Sequence, residues 1–417
     1  MIEVQCRSYE KPPRALTPCA RERASIAGWL VALWLVLAMP VGLSAQAPLA
    51  LPPNGAAAAA YRSAIAEARQ LLVDLMTERA IPGLSVAVGV DGGVVWSEGM
   101  GLASLEHGVP VTPLTRFRTG STAKPMTAAV LAVLYERGLV DLDAEVGEYV
   151  TRWPEQHRLI TIRQLAGHLS GIRHYDPEGL EFFNSVRYTN LLDALEIFDR
   201  DALLFEPGTR YSYSTYGYNL LGAALQQAAG RPFVQLVREV VFEPLGMSSS
   251  VTDHTDSIIA HRTSFYERSG GGSSYHTRQS GWQSATRTVL NGPYTDNSNK
   301  APGGGFLTTP TDLVRFGSAH LMPGFLKEST LQLLFAPQRT NSGEETSYGL
   351  GWQLGEDSQG HPTIGHGGGA VGGTSQLLMH PDLGLVVALQ VNLTDAGIGR
   401  AAREVAAIFR RELAARN

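Results

Sequence analysis

The stretch Phe117-Arg118-Thr119-Gly120-Ser121-Thr122-Ala123-Lys124-Pro125-Met126 decides how this chain is read. A turn of small residues leads into Ser-x-x-Lys and then into apolar residues at helical spacing, Met126, Val130, Leu131, Val133 and Leu134, before Glu136-Arg137-Gly138. Residues three apart share a helix face, so Ser121 and Lys124 are expected to project into one small volume. A serine hydroxyl is a poor nucleophile near neutral pH unless a base takes its proton, and a desolvated lysine can be that base. A serine at a helix start also meets free backbone N–H groups and the positive end of the helix dipole, both suited to a developing oxyanion. Pro125 disfavours helical geometry at Lys124, so an irregular helix start is expected.

Working outward, 417 residues that are 44% hydrophobic and 18% charged suffice for a large core, organised as two lobes of one catalytic unit. The formal net charge of -5 leaves no basic footprint for nucleic acid. No residue from Ala24 to Ala60 is charged, and Ile26 to Leu43 is almost continuously apolar, preceded by Arg21 and Arg23 and followed by Ala45-Gln46-Ala47. That order reads as a secretory signal peptide cleaved near Ala47, with membrane anchoring through residues 26–43 as the alternative. Residues 1–47 are therefore set apart from a body of residues 48–417, which is expected to be exported to a periplasmic or extracellular space. Both cysteines, Cys6 and Cys19, fall in the first segment, so neither a disulfide nor a cysteine nucleophile is available to the body.

Residues 57–80 read as a helix. Leu84 to Val90 and Val94 to Glu98 read as a hairpin around Asp91-Gly92-Gly93. Near the other end, Thr374 to Met379 and Leu385 to Asn392 form a second strand pair, followed by a helix from about Arg400 to Ala414. Strands at both ends with helices between them imply an α/β (α+β) fold. Its antiparallel sheet, flanked by helices, is assembled from residues of about 50–120 and 300–417, and a mostly helical lobe of about 121–299 is inserted. Thr161-Ile162-Arg163-Gln164 has the form of a capping box, and Thr309-Pro310-Thr311-Asp312 that of a helix start. Residues 267–300, rich in Ser, Gly, Thr and Asn, read as a surface loop.

Two further stretches bear on Ser121. Pro207 to Gly222 brings a dense set of hydroxyls, including Tyr213-Ser214-Thr215, to the start of an apolar helix. Gly365-His366-Gly367-Gly368-Gly369-Ala370 leads into the Thr374 strand, and its glycines allow a substrate close to a strand backbone. In order and spacing these stretches, with Gly120-Ser121-Thr122-Ala123-Lys124, resemble the serine β-lactamase and penicillin-binding-protein superfamily. The likeness is to its class C-type branch of esterases, D-peptidases and β-lactamases, and within that to the mitochondrial serine β-lactamase-like group and its bacterial relatives. It spans roughly residues 60–415, with support from His168-Leu169-Ser170-Gly171-Ile172, Gly303-Gly304-Gly305-Phe306 and Tyr348-Gly349-Leu350-Gly351-Trp352.

The resemblance implies that Ser121 is the acylated nucleophile, that Lys124 and Tyr213 share general-base duty, and that Tyr213 protonates the leaving group. Which of the two takes the first proton stays open. It further implies an oxyanion hole from the backbone N–H groups of Ser121 and Gly369, with Gly368, Thr215 and His366 lining the site, and no cofactor or metal. Thr215 stands where the family usually carries an amide, and His366 where efficient β-lactamases carry a lysine. Both departures favour a small ester or peptide/amide substrate over a β-lactam. A true β-lactamase or D,D-peptidase is the alternative within the family, and a non-catalytic, self-assembling scaffold is the alternative of another class. No Gly-x-Ser-x-Gly elbow, His-Glu-x-x-His or phosphate-binding loop supports a different chemistry.

Overall fold

Leu84 to Val90 and Leu385 to Val391 are too uniformly apolar for strands with one wet face. They become the centre of the sheet. In the computed structural model, which describes residues 55–176, 181–268 and 289–416, β1 (Gly83–Val90) and β12 (Leu385–Val391) are buried along their whole length and pair antiparallel, Ala87 opposite Ala388. On one side the sheet continues through β2 (Gly93–Ser104) and β3 (Val109–Pro110). On the other it continues through β11 (Gly373–His380), β10 (Pro362–Ala370) and β9 (Gln353–Glu356), giving the order β3-β2-β1-β12-β11-β10-β9. The two chain ends thus build one antiparallel sheet, as the sequence implies. Asp91 and Gly92, with φ of 48° and 80°, form the tight turn of the first hairpin.

Side chains alternate across a strand, and the two faces bury against different helices. Val86, Val88, Val387 and Leu389 pack with Leu72, Val405 and Phe409 of the helices Arg62–Glu78 and Gly399–Ala414. Ala87, Val386 and Ala388 share a core with Leu313, Val314 and Phe316 of the helix Pro310–Leu321. Each fully buried Val or Leu contributes about 1.5–3 kcal/mol, so this double-sided burial holds the sheet rigid under the site. Both helix-start signals are realised. Thr161 and Gln164 satisfy each other's backbone N–H, and Thr309 accepts from Asp312 N with Pro310 at the first position.

Among the described residues, two shorter sheets complete the strands. β4 (Phe117–Arg118) and β5 (Val251–Thr252) flank β8 (Phe306–Thr308), and β6 (Tyr266–Arg268) pairs with β7 (Val289–Asn291). The expected loop over 267–300 falls mainly outside the described residues, and its far end is ordered into β7 and a 3₁₀ turn, Ser298–Lys300, because Asn299 and Lys300 are buried against the site. Helix Ala123–Glu136 is buried on every side from Ala123 to Ala132, as a nearly all-apolar helix must be. Among the described residues no helix is long and apolar enough to cross a membrane, and the apolar run Ile26 to Leu43 lies outside them.

Candidate active site

Ser121 sits in a 3₁₀ turn, Gly120–Thr122, between β4 and the buried helix. The expected irregularity is this turn. Pro125 itself is accommodated, because it falls in the first helical turn, where its missing N–H has no intrahelical partner to lose. The turn is fixed from both sides. Thr119 donates its N–H and hydroxyl to the Phe306 carbonyl (3.0 and 3.1 Å), and its own carbonyl accepts from Thr122 Oγ1 (2.9 Å) and Ser375 Oγ (2.5 Å). Gly120 has φ of 48°, and a Cβ there would stand 2.5 Å from the Gly369 oxygen, so a glycine is required both by conformation and by the approach of β10.

Lys124 is 0% exposed. Its Nζ lies 3.2 Å from Ser121 Oγ, 3.1 Å from Thr215 Oγ1 and 3.0 Å from the Gly303 carbonyl. No carboxylate among the described residues is paired with it. Burial holds its pKa well below the ordinary lysine value, with the charge of Lys300 acting in the same direction, so the neutral amine is the favoured form of a base.

The second stretch supplies Tyr213 just ahead of helix Thr215–Ala229, whose first turn is capped by Ser214 Oγ accepting from Gly217 N (2.9 Å). The Tyr213 ring centroid is 4.7 Å from Lys124 Nζ, which itself donates to Ser121 Oγ. Burial raises the Tyr213 pKa well above the usual tyrosine value, with the Ser121 hydroxyl opposing, so Tyr213 is a phenol, a proton donor. Thr215 turns inward, its hydroxyl accepting from Lys124, and with the Gly303 carbonyl it fixes the lysine.

The third stretch lies on β10. β9 pairs with Pro362 to Gly365 only, leaving His366 to Ala370 as a free edge. Gly367 N donates sideways to Gln353 Oε1 (3.2 Å), and the two-residue period of a strand turns the N–H of Gly369 the same way, where it meets the Gly120 turn. A Cβ at Gly368 would be driven into the Thr119 carbonyl and would stand 2.9 Å from Ser121 N. A groove of about 350 Å³ runs beside Gly367, Gly368 and Gly369 to Phe182 and Ile398.

The structure therefore brings Ser121, Lys124, Tyr213, Thr215, Gly368 and Gly369 together. His366 differs from the expectation that it lines the cleft. It is 1% exposed, its Nδ1 donates to the Gly367 carbonyl (2.6 Å), and its Nε2 accepts from Tyr348 Oη (2.9 Å). Burial, then the proximity of Lys124, push its pKa down to about 3, so it is a neutral strut under the site. Residues 366, 368 and 370 share one strand face, and that face is packed against the core.

Several neighbours escape the sequence reading. His168 Nδ1 accepts from Ser214 N (3.1 Å), and His174 Nδ1 from Thr215 N (3.2 Å), so two imidazoles hold consecutive N–H groups beside Tyr213. The His168 ring packs against that of Tyr213 at a tilt, with centroids 4.3 Å apart. Both histidines are pushed down by burial, His174 to about 4. His168 opened one of the segments that carry the family resemblance, but nothing in the sequence marked its ring or that of His174 as the partner of the Ser214 and Thr215 N–H groups. Lys300, in the turn before Gly303, carried no signal.

Residues 68–409 match the Beta-lactamase family. The chain is similar to the mitochondrial serine beta-lactamase-like protein LACTB of Mus musculus, 28% identical over 87% of this chain and 83% of that protein. A shorter stretch, 41% of this chain and 47% of the other, is 32% identical to esterase EstB of Burkholderia gladioli. In fold the chain is similar to the octameric penicillin-binding protein homologue from Pyrococcus abyssi, with a TM-score of 0.69 and 21% identity over 83% of this chain and 77% of that chain.

Proposed function

Since the chain belongs to the beta-lactamase family, we propose that it is an exported serine hydrolase that cleaves small esters or peptide/amide bonds through an acyl-enzyme on Ser121. The observation that carries this reading is Lys124, a buried lysine without a described carboxylate partner, 3.2 Å from Ser121 Oγ. Neutral Lys124 takes the Ser121 proton as Oγ attacks the substrate carbonyl. The negative charge that forms on the carbonyl oxygen is received by the backbone N–H groups of Ser121 and Gly369. Tyr213, held as a phenol, gives its proton to the departing oxygen or nitrogen and is reprotonated from Lys124. Water enters in the leaving group's place, loses its proton to the same pair, and the ester at Ser121 is hydrolysed.

Two features favour esters and amides over β-lactams. Thr215 offers no N–H₂ donor, and its hydroxyl is engaged by Lys124. His366 is neutral and enclosed, so β10 presents no cation to a substrate carboxylate. The similarity to an esterase supports the same choice. Steady-state assays of an activated ester, a peptide amide and a penicillin test it. The ester and amide are expected to turn over while the penicillin acylates Ser121 and stalls, and a penicillin hydrolysed with the highest kcat/KM would contradict the assignment. Export rests on the basic flank, apolar core and Ala45-Gln46-Ala47. Sequencing the N-terminus of the protein recovered from outside the cytosol tests it, with a start near Pro48 expected.

A further inference from the structure

Lys300 is the second buried lysine beside the site, 5% exposed. Its Nζ donates to the Phe182 carbonyl (3.0 Å) and lies over the rings of Phe182 (5.0 Å) and Tyr175 (5.2 Å). Among the described residues no carboxylate is paired with it. The short segment that carries it, Ser298–Gly304, also holds the catalytic side. The Gly303 carbonyl accepts from Lys124, the Pro302 carbonyl accepts from Thr127 Oγ1 (2.7 Å), and the Asn299 carbonyl accepts from Asn219 Nδ2 (2.8 Å). The Tyr175 ring over Lys300 meets the His174 ring (4.3 Å), and His174 Nδ1 accepts from the N–H of Thr215, whose Oγ1 accepts from Lys124. The rings of Tyr175 and Phe182 cover Lys300, so a substrate does not reach it.

We propose that Lys300 is a positioning residue for the reaction: its buried ammonium, tied to Lys124 through one rigid segment, repels a proton on Lys124 and so keeps the base neutral. It supplies from the helical side the cation that His366 does not supply from β10. The groups facing Lys124 are Ser121, Tyr213, Tyr218, His168, His174 and His366, and none carries negative charge that would oppose this. Those facing Lys300 are Arg118, Asp253, Asp296, Tyr175 and His174. Asp253 is itself paired with Arg118 (2.8 Å). Burial and then Arg118 push Lys300 down to about 7, against the pull of the two aspartates. It is therefore charged on the acid side of neutrality, where a second charge on Lys124 would be opposed.

This inference rests on the serine-hydrolase reading, and its test separates the two. In full-length protein carrying ¹³C-lysine, the Lys124 Cε resonance, assigned by its loss in Lys124→Met, is titrated in the wild type, Lys300→Met and Lys300→Arg. Fluorophosphonate labelling of Ser121 is followed across the same pH range. Removing the charge is expected to move the Lys124 midpoint and the acid limb of labelling together to higher pH. Labelling below neutrality should fall several-fold while the alkaline plateau holds, and Lys300→Arg should leave the midpoint at or below the wild-type value. Lys300→Gln gives the same comparison if the methionine variant does not fold. An unmoved midpoint in a folded variant, with only a lower plateau, would overturn the inference. A wild type that never labels would overturn the hydrolase reading while the resonance still reports the coupling.

Discussion

Lys124 Nζ and Ser121 Oγ are 3.2 Å apart in a pocket where the lysine's other partners, Thr215 Oγ1 and the Gly303 carbonyl, are uncharged. An ammonium there would be desolvated without a counter-charge, so the geometry favours the free amine. Lys124→Met is expected to slow acylation of Ser121 by about 10²–10⁴-fold. Lys124→Arg keeps the cation but cannot lose its proton, and should fail equally. The fluorophosphonate labelling rate measures both, and an active arginine variant would rule out Lys124 as the base.

Tyr213 has the opposite bias. Because burial keeps the phenol protonated, its main task is donation to the leaving group, which matters most when that group is basic. Tyr213→Phe should reduce amide turnover by about 10²–10⁴-fold and leave an activated ester, whose leaving group needs no proton, far less affected. The ratio of the two kcat/KM values is the measurement. Equal losses on both substrates would instead make Tyr213 part of the base.

Two adjacent glycines of β10 should respond differently. A methyl group at Gly368 would be forced into the Thr119 carbonyl and Ser375 Oγ, pushing the strand off the Ser121 turn, whereas a Cβ at Gly369 meets no heavy atom within 4 Å. Gly368→Ala is expected to lower both melting temperature and kcat, the latter by about 10²–10³-fold as the oxyanion geometry is lost. Gly369→Ala keeps its N–H and should melt as the wild type does. Paired melting curves and rates decide the matter.

Acid should weaken the fold through its buried neutral histidines. His320 donates Nδ1–H to the Phe316 carbonyl (2.8 Å), packs against Trp352 and is pushed by burial from 6.5 to about 4. Between those values the unfolded chain binds a proton that the folded chain refuses, so stability falls as pH falls, by up to about 1.4 kcal/mol per pH unit. Above 6.5 both states are neutral and the histidine contributes no pH dependence. Urea unfolding at pH 7 and pH 5 should show a smaller acid loss in His320→Gln than in the wild type.

The sheet was legible because its signals are local. A period of two, a two-residue turn and two apolar runs place β1, β11 and β12 within a residue or two, and the start of β2 likewise, although β2 continues six residues past Glu98 to Ser104. That Ser121, Lys124 and Tyr213 come together was legible because the Ser-x-x-Lys spacing puts two of them on one helix face and the Tyr-Ser-Thr run resembles the family's second motif. The supports of the site were not, since His174 reaches Thr215 across 41 residues and Gly303 reaches Lys124 across 179, contacts that exist only once the segments pack. His366 was misplaced for a related reason. The strand period tells that it shares a face with Gly368, but which face is packed depends on Tyr348.

Every step of the proposed reaction starts from Ser121 as the nucleophile. Intact-protein mass spectrometry of the folded chain after brief exposure to a fluorophosphonate, beside Ser121→Ala, tests it most directly. One adduct is expected on the wild type and none on the variant. A folded wild type that stays unmodified, or a variant that is modified equally, would contradict it and favour a non-catalytic scaffold on the same fold.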